Sequence, residues 1–272
     1  MLKKLITILV CVISLASCQM RAKAGDASHD TKNVRLYKHL SNSTVALVKP
    51  KCVAKNTSGE CINVQRIYCT GVWISRSHIL TAHHCVQSFV TSQSTDEEIE
   101  NNEDEKLVNK SILFLNRSQV PHELRRGYVE RPNANVATIV KFDVQNDLAL
   151  IKAKKQDYSE HFVQISGEKL NVGQEIHVVG HTTGIPYTYA FGHISGIRVD
   201  YLQTGLMHVI QVSAPTYFGN SGGGAFTSDG KLVGICSYLY RSAPMHLNFF
   251  VHRDSIIDFL ENRSPTSIRI KQ

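Results

Sequence analysis

The 272-residue sequence predicts an all-β fold, on three observations. Short segments rich in Val, Ile, Tyr, Phe and Thr recur along the chain, with turn residues between them. Their spacing is typical of an all-β sandwich or barrel. Clear helical periodicity is confined to one segment near the carboxyl terminus. The length suffices for one large all-β domain or two fused small ones.

Twelve segments are predicted to be strands. They are residues 43–48, 70–75, 78–81, 111–115, 137–142, 148–152, 175–179, 193–199, 208–212, 224–227, 231–238 and 248–251. The one predicted helix, Ser255–Glu261, has an apolar stripe, and Asp254 stands where a capping residue is preferred. No internal repeat of 20–50 residues is visible, so a solenoid or propeller is not expected.

The amino terminus predicts export. Lys3 and Lys4 precede the apolar run Leu5–Ala16, which suits a signal peptide and is too short to span a bilayer. Residues 15–18 (Leu-Ala-Ser-Cys) resemble a bacterial lipobox. We therefore expect a signal peptide at 1–17, a lipid anchor on Cys18 and a polar tether at 18–33. The alternative is cleavage after Ala22-Lys23-Ala24, which would release a free secreted protein instead of a periplasmic or outer-membrane lipoprotein.

The charge and composition of the chain indicate which classes of partner to expect. A net charge of +7, with scattered basic residues, lacks the dense stripe of a nucleic-acid binder, so no nucleic acid is expected. The segment Ser94–Lys106 contains seven acidic residues, which predicts a solvated loop; a calcium loop is the alternative. No metal or cofactor is otherwise indicated, and the oligomeric state is left open.

Cysteine usage agrees with export. Five cysteines follow the leader, and none forms a CxxC pair, which disfavours a metal site. In an oxidising compartment we expect the pairs Cys69–Cys85 and Cys52–Cys61. Cys236 is then expected to be free and buried.

The segment Gly219-Asn220-Ser221-Gly222-Gly223 is the first candidate for chemistry. A serine hydroxyl needs a base to take its proton, and the transition state needs N–H donors for the developing oxyanion. Glycines around Ser221 allow the sharp turn that would present such donors. The same letters satisfy the G-x-S-x-G pattern of α/β-hydrolases, but the residues after Ser221 make a poor helix.

A base and an acid stand upstream. His84 follows the apolar segment Ile79–Ala82 and precedes Cys85, and histidine titrates near neutrality. Asp147 precedes the apolar segment Leu148–Ile151, where a partly buried carboxylate can orient an imidazole. The order His, Asp, Ser disfavours the α/β-hydrolase alternative, in which serine comes first.

Together the three segments resemble the trypsin/chymotrypsin family, from about Ser43 to Glu261. The matching motifs are Ala82-His83-His84-Cys85, Asp147-Leu148-Ala149-Leu150 and Gly219-Asn220-Ser221-Gly222-Gly223. Residues 178–195 also resemble the second-barrel opening of bacterial high-temperature-requirement proteases. The resemblance implies two packed six-stranded antiparallel β-barrels. It places the protease domain at 34–262, with barrels at about 40–155 and 160–252, a helix at about 254–262 and a tail at 263–272.

The resemblance also implies roles. His84 aligns with the general base, Asp147 with the orienting acid and Ser221 with the nucleophile of a serine endopeptidase acting on peptides through an acyl-enzyme. The N–H groups of Gly219 and Ser221 align with the oxyanion hole. The alternative is a catalytically weak or inactive binding protein on the same fold. Further residues align with pocket or channel positions: Pro215, Thr216, Cys236, Ser237, Tyr238, Leu239 and Asn248.

Two departures from trypsins are visible in the resemblance. Pro215 stands where trypsins carry the acid that selects Lys or Arg, so cleavage after basic residues is not expected. Asn220 replaces the aspartate that pairs with a newly cut amino terminus in zymogen-activated relatives. We therefore expect no trypsin-style activation.

Overall fold

Two closed barrels, each of six antiparallel strands, make up most of the computed structural model, which confirms the predicted fold class. The structure describes residues 31–55, 57–58, 61–89, 111–120, 128–130, 133–202, 205–240 and 247–263. The expected signal peptide, the lipidation site Cys18, most of the polar tether, the acidic segment 94–106 and nearly all of the tail lie outside the described residues.

The described residues contain 13 strands and three α-helices. The strands are β1 (Thr44–Lys55), β2 (Cys61–Trp73), β3 (His78–Thr81), β4 (Ser111–Leu115), β5 (Tyr128–Glu130), β6 (Asn135–Asp143), β7 (Leu148–Ala153), β8 (Glu175–Gly180), β9 (Thr188–Leu202), β10 (Gly205–Val212), β11 (Gly224–Phe226), β12 (Leu232–Tyr240) and β13 (Leu247–His252). The helices are α1 (Lys32–Asn42), α2 (His83–Val86) and α3 (Arg253–Glu261).

The first barrel has the strand order β1-β4-β6-β7-β3-β2 and closes through pairing of β1 with β2; β5 adds to the free edge of β2. The second barrel has the order β10-β13-β12-β11-β8-β9 and closes through β9 and β10. Each of the twelve predicted strand segments overlaps an observed strand. Strand β5 and the first half of β2 were not predicted.

Apolar side chains fill three clusters. One fills the first barrel, where Trp73 packs edge-on against Phe114 with ring centroids 5.6 Å apart. A second fills the second barrel around Ile210 and Phe250. The third contains residues of both barrels together with parts of α1 and α3, and it packs the barrels against one another. Burial on this scale is the main favourable term in folding.

Helix α1 was not expected from the sequence. Its buried apolar residues, Leu36 and Leu40, lie four positions apart and pack in the third cluster. Two residues make too short a stripe to stand out as helical periodicity. The chain divides between Arg35 and Leu36, within α1, and both barrels belong to the part that begins at Leu36.

The capping residue of the carboxyl-terminal helix was predicted wrongly. The cap of α3 is His252, whose side chain accepts a hydrogen bond from the backbone N–H of Asp254 (3.1 Å). Asp254 itself lies in the first turn, where a carboxylate interacts favourably with the helix dipole. Histidine is not among the preferred capping residues, so sequence rules pointed to its acidic neighbour.

Candidate active site

The predicted histidine, aspartate and serine come from both barrels. His84 lies in α2, directly after β3 of the first barrel, and Asp147 lies in the turn before β7. Ser221 lies in the loop before β11 of the second barrel. His84 and Ser221 line one cavity of about 780 Å³, and Asp147 lies beside His84 with only 15% of its side chain exposed.

Asp147 holds His84 at two points. The backbone N–H of His84 donates to Oδ1 of Asp147 (2.9 Å), and Nδ1 of the ring lies 2.8 Å from Oδ2. An ionised carboxylate only accepts hydrogen bonds, so Nδ1 carries a proton. In the neutral ring Nε2 therefore has a free lone pair, as a general base requires.

Asp147 is kept ionised by its partners. Burial by itself raises the pKa of a carboxyl group. Here the hydrogen bonds from His84, the positive charge that its ring carries when protonated, and a hydrogen bond from Ser237 outweigh burial and hold the Asp147 pKa below its usual value. The Ser237 hydroxyl donates to Oδ2 over 2.5 Å. Ser237, which was expected to bind substrate, thus contacts Asp147 as well as lining the cavity.

His83 points elsewhere. Its ring is buried and stacks on Phe142, with centroids 5.1 Å apart. Its backbone N–H donates to the carbonyl of Asp147, so both histidines help to anchor this turn. Of the two adjacent histidines, the one that Asp147 orients through its side chain is His84.

A disulfide joins Cys69 of β2 to Cys85, the residue after His84. In the chain-entropy description, closing a loop of this length stabilises the fold by about 3 kcal/mol. Cys52 is also disulfide-bonded, but the side chain of Cys61 lies outside the described residues, so their pairing stays a prediction. Cys236 is free and buried.

The chain before Ser221 makes a tight turn. The backbone N–H of Asn220 donates to the carbonyl of Tyr217, which closes a four-residue turn. Gly219 occupies its third position with φ of +93°, as a type II turn requires. A side chain there would also clash, because a Cβ on Gly219 would lie 2.1 Å from the carbonyl oxygen of His181.

Two hydrogen bonds orient this turn. The carbonyl of Phe218 accepts from the backbone N–H of Thr183 (2.6 Å). Because C=O and N–H of a trans peptide point in opposite directions, the N–H of Gly219 faces away from Thr183. The carbonyl of Gly219 accepts from the Thr70 hydroxyl (2.6 Å).

A buried histidine supports Thr70. Since the Thr70 hydroxyl proton is used on Gly219, Thr70 accepts from Nδ1 of His181 at 2.9 Å. Burial lowers the His181 pKa to about 3, so the ring is neutral in ordinary buffers. Its Nε2 is buried and has no hydrogen-bond partner among the described residues. Thr70 and His181 were not identified from the sequence.

Asn220 is satisfied locally. It is 2% exposed, and its side-chain amide donates to the hydroxyl of Thr182 (2.8 Å). The sequence indicated only that Asn220, being neutral, cannot form an ion pair with a newly cut amino terminus. The structure shows that its amide forms a hydrogen bond with Thr182 instead.

The expected pocket residues divide into three groups. Thr216, Cys236, Ser237 and Tyr238 line the same cavity as Ser221. Pro215 lines a second, smaller cavity of about 400 Å³, which also contacts Thr216. Asn248 is buried and donates to the carbonyl of Ala214 (2.9 Å) rather than lining either cavity, and the side chain of Leu239 lies outside the described residues.

Two groups of side chains in the described residues bring potential metal ligands close together. In the first, with His84, both sulfurs belong to the Cys69–Cys85 disulfide and are not thiolates. In the second, with Asp254, the rings of His208 and His252 are stacked 3.9 Å apart and nearly parallel. Their in-plane lone pairs therefore do not converge on one ion.

Two six-stranded barrels, with an aspartate-bound histidine and a glycine-flanked serine between them, define the chymotrypsin-like class of fold. The chain belongs to the trypsin-like peptidase domain family, whose model matches residues 69–235. This match includes His84, Asp147 and Ser221.

Similar proteins include proteases of the HtrA and Do type. Residues of this chain are 36% identical over 110 positions to Protease Do-like 1, chloroplastic, of Arabidopsis thaliana, covering 38% of this chain and 25% of that protein. They are 34% identical over 106 positions to the probable periplasmic serine endoprotease DegP-like of Marinomonas sp., covering 39% and 22%. The chain thus spans about a quarter of the length of these relatives.

A similar solved structure is the HtrA-type protease AlgW with decapeptide, with a TM-score of 0.61 and 16% identity over 84% of this chain and 66% of that one. At this identity the likeness concerns the fold. Within the described part of the chain, none of the helices has the length and apolar character needed to cross a membrane.

Proposed function

We propose that this protein is a serine endopeptidase in which Ser221 is the nucleophile, His84 the general base and Asp147 the orienting acid. The observation that carries the proposal is the pairing of Nδ1 of His84 with Asp147 at 2.8 Å, which leaves Nε2 as a base in the cavity that Ser221 also lines. Membership of the trypsin-like peptidase family supports the same activity.

The chemistry follows from these roles. Nε2 of His84 takes the hydroxyl proton as Ser221 Oγ attacks the scissile carbonyl, and Asp147 stabilises the resulting imidazolium. The imidazolium then gives that proton to the leaving amine, and the acyl group stays on Ser221 as an ester. A water molecule, deprotonated by the same nitrogen, hydrolyses the ester and restores the serine.

The turn at Tyr217–Asn220 supports an oxyanion hole formed by the N–H groups of Gly219 and Ser221. The Thr183 and Thr70 hydrogen bonds hold the peptide planes on either side of Gly219 before substrate binds. Preorganised donors of this kind contribute strongly, because they need no reorientation when negative charge develops.

The absence of acidic side chains from the described lining of the cavity supports cleavage after residues other than Lys and Arg. The thiol of Cys236 has its pKa raised to about 12 by burial, so it is uncharged, and it hydrogen-bonds with Thr216. None of the described residues that line the cavity is an Asp or a Glu. A Lys or Arg side chain placed there would lose its hydration without gaining a counter-ion.

The local satisfaction of Asn220 supports activity without trypsin-style activation. The turn is held by residues of the mature chain, Thr70, Thr182 and Thr183, without an ion pair to Asn220. Protein produced without its leader is therefore expected to be active as purified. Activity that appears only after a further cut near the amino terminus would contradict this.

The alternative is a binding protein without catalysis. Among the described residues no hydrogen bond joins Nε2 of His84 to Oγ of Ser221, which is the observation that favours it. Catalytic hydrogen bonds are often long before substrate binds, so this geometry is compatible with both functions.

Covalent labelling separates the two. We expect a fluorophosphonate probe to label the wild-type protein at Ser221, and peptides to be cleaved. Ser221→Ala and His84→Ala should each reduce turnover by at least about a thousandfold. His83→Ala is the matched control and should retain much of the activity. If His83→Ala loses activity and His84→Ala keeps it, the general base is His83 and the assignment to His84 is wrong.

We further propose that the protein is exported and held by a lipid on Cys18. Support comes from the leader, in which two lysines precede an apolar run, and from the lipobox-like segment Leu15–Cys18. A relative that is named a probable periplasmic protease also supports export. Metabolic labelling with palmitate should mark the wild type and not Cys18→Ala. Equal labelling of both would remove the anchor and favour the free secreted form.

A further inference from the structure

The ring of His181 lies directly behind the turn that precedes Ser221. The residue is fully buried, and its Nδ1 is 2.9 Å from the Thr70 hydroxyl, which in turn donates to the carbonyl of Gly219 (2.6 Å). The backbone carbonyl of His181 accepts a hydrogen bond from the N–H of Gly184 (2.8 Å), which holds its main chain. A titratable side chain is thus one hydroxyl away from Gly219, whose N–H is proposed to bind the oxyanion.

The Thr70 hydroxyl has one proton and two neighbouring groups that can accept it. A neutral imidazole carries its proton on one ring nitrogen and a lone pair on the other. With the proton on Nδ1, His181 donates to Thr70, and the Thr70 proton goes to the Gly219 carbonyl. With the proton on Nε2, the lone pair of Nδ1 competes for the Thr70 proton. If the ring took that proton, two oxygen atoms 2.6 Å apart would face each other without a proton between them, and the turn would be pushed out of place.

Thr70 has little freedom to move away from this conflict. Its backbone N–H donates to the carbonyl of Ser221 (2.8 Å), and its backbone carbonyl accepts from the Thr81 hydroxyl (2.8 Å). The residue is also fully buried. The tautomer of His181 therefore determines whether the carbonyl of Gly219 keeps its hydrogen-bond donor.

The surroundings of the other ring nitrogen set this tautomer. Nε2 of His181 and the hydroxyl oxygen of Tyr187 are both buried, and neither has a hydrogen-bond partner among the described residues. Their rings pack edge to face, with centroids 4.7 Å apart. Buried polar groups without partners are rare, and burial raises the Tyr187 pKa, so its hydroxyl keeps its proton as a donor. A donor paired with Nε2 requires a lone pair there and therefore places the ring proton on Nδ1.

Tyr187 is held against His181 by other residues. It adopts a left-handed conformation, with φ of +53°, which is uncommon for a bulky side chain. The Tyr37 hydroxyl donates to its backbone carbonyl (3.2 Å), and the guanidinium carbon of Arg117 lies 4.4 Å from the centroid of its ring. A strained conformation persists only where the surrounding structure determines it, and such residues cluster at functional sites.

We propose that His181 and Tyr187 are positioning residues for the oxyanion hole. The Tyr187 hydroxyl donates to Nε2 of His181 across one buried water molecule, and this holds the ring in the tautomer with the proton on Nδ1. That tautomer directs the Thr70 proton to Gly219 and keeps the turn in its oxyanion-binding form. Neither ring lines the cavity that contains Ser221, so both act through Thr70. The inference rests on the proposed peptidase function and adds to it the residues that hold the turn.

The tautomer can be measured directly. In isotope-labelled protein, proton–nitrogen correlation spectra of the histidine rings distinguish a protonated from an unprotonated nitrogen. We expect the His181 proton on Nδ1 in the wild type and a shift toward Nε2 in Tyr187→Phe, which removes only one buried oxygen. Tyr158→Phe, at an exposed tyrosine that lines neither cavity, is the matched control and should leave the His181 signals unchanged. A proton on Nε2 in the wild type, or no change in Tyr187→Phe, overturns the proposal.

Kinetics connects the tautomer to the oxyanion hole. Tyr187→Phe should lower kcat roughly fivefold to tenfold with little change in KM, because the oxyanion donors act mainly in the transition state. His181→Asn is the conservative variant and should retain most of the rate, since its amide N–H can donate to Thr70. His181→Phe fills the same space without a donor and should lose that rate. Thermal melting checks that each variant is folded.

Combining the substitutions separates positioning from packing. The His181→Asn variant has no tautomer to select, so adding Tyr187→Phe to it should cause no further loss of kcat. An equal loss in the wild-type and His181→Asn backgrounds would mean that Tyr187 serves only in packing, and would overturn the proposal. The spectra need no substrate, so they test the tautomer independently of the peptidase function. Failure of Ser221 labelling in the wild type would overturn that function instead.

Discussion

The backbone N–H of Thr183 donates a 2.6 Å hydrogen bond to the carbonyl of Phe218, across the gap between the loop after β8 and the turn before Ser221. Thr183 adopts a left-handed conformation, with φ of +55°, to do so. Such a conformation costs a β-branched residue about 1–2 kcal/mol. The strained residue thus orients the peptide whose N–H is proposed to bind the oxyanion.

Variants of Thr183 test this relationship. Thr183→Gly keeps the N–H and removes the strain, so activity should persist and stability should rise by about 1 kcal/mol. Thr183→Pro removes the N–H and cannot adopt a positive φ, so kcat/KM should fall by about a hundredfold or more. Both are measured as peptide hydrolysis, with thermal melting as the check that Thr183→Pro is folded. Equal activity of the two variants would contradict the assignment.

Thr70 is expected to act through Gly219. Thr70→Val removes the hydroxyl that donates to the Gly219 carbonyl but keeps the shape of the side chain. It also leaves Nδ1 of His181 without its acceptor in a buried site. We expect kcat to fall about tenfold to a hundredfold with little change in KM, because the turn is needed most in the transition state.

Thr70→Ser is the matched control, since it restores the hydroxyl and should recover most of the rate. If Thr70→Val and Thr70→Ser have the same kcat, the Thr70 hydroxyl does not contribute to catalysis and the side chain serves only in packing. A parallel loss in the rate of fluorophosphonate labelling would place the defect in attack on an electrophile rather than in peptide binding.

The buried side chain of His252 is expected to make the folded protein less stable at acidic pH. It is 4% exposed and stacks on His208, and burial, with the charges of His208 and Arg253 nearby, lowers its pKa to about 3. The unfolded chain takes up this proton near pH 6.5, whereas the folded protein resists it. Stability contributed by the neutral ring is therefore complete above about pH 6.5 and is lost as the pH falls toward 3.

His252→Asn should flatten this dependence while keeping the cap, because asparagine also accepts the Asp254 N–H. Between pH 7 and pH 4, the free energy of unfolding should fall by up to about 3 kcal/mol more in the wild type than in the variant. Urea unfolding at both pH values measures the difference, with the exposed His193→Asn as the control. Identical slopes in the wild type and His252→Asn would contradict the prediction.

Lys141 joins the carboxyl-terminal helix to the first barrel. Its ammonium group, from β6, donates to the carbonyls of Phe259 and Leu260 and to the side chain of Asn262. The Phe259 carbonyl otherwise accepts only a long hydrogen bond, from the backbone N–H of Asn262 (3.5 Å), among the described residues, and a cation is favourable at the end of a helix.

Lys141→Met should lower the free energy of unfolding by about 1–2 kcal/mol, seen as a lower melting temperature. Lys155→Met, at an exposed lysine, should change it by less than about 0.5 kcal/mol. Equal effects of the two substitutions would mean that the contacts at the end of α3 contribute nothing measurable.

Local patterns were enough to predict the fold class and the three candidate catalytic residues. Alternation of side chains defines strands within a few residues, so most strands were found where the structure has them. The segment around β5, and the helix α1 with its two buried leucines, give patterns too short to be recognised. The candidate catalytic residues could be predicted because residue type and immediate neighbours indicate a possible role for each. They are His84, Asp147 and Ser221.

Partners that are distant along the chain could be identified only in three dimensions. Thr70 lies 149 residues from Gly219, yet its hydroxyl contacts that carbonyl, and no local signal distinguishes it from any other strand threonine. Barrel closure likewise decides that Lys49 is opposite Arg66, since a register shifted by one residue would put them on different faces.

The sequence by itself therefore determined the all-β class, the candidate base, acid and nucleophile, and the neutral amide at Asn220. The tertiary structure alone decided how the turn before Ser221 is oriented, which residue caps α3 and which residues line the cavity beside Ser221. The physical reason is that strand and turn preferences depend on neighbours in the chain. Hydrogen bonds across the barrels depend instead on register and closure, which many segments determine together.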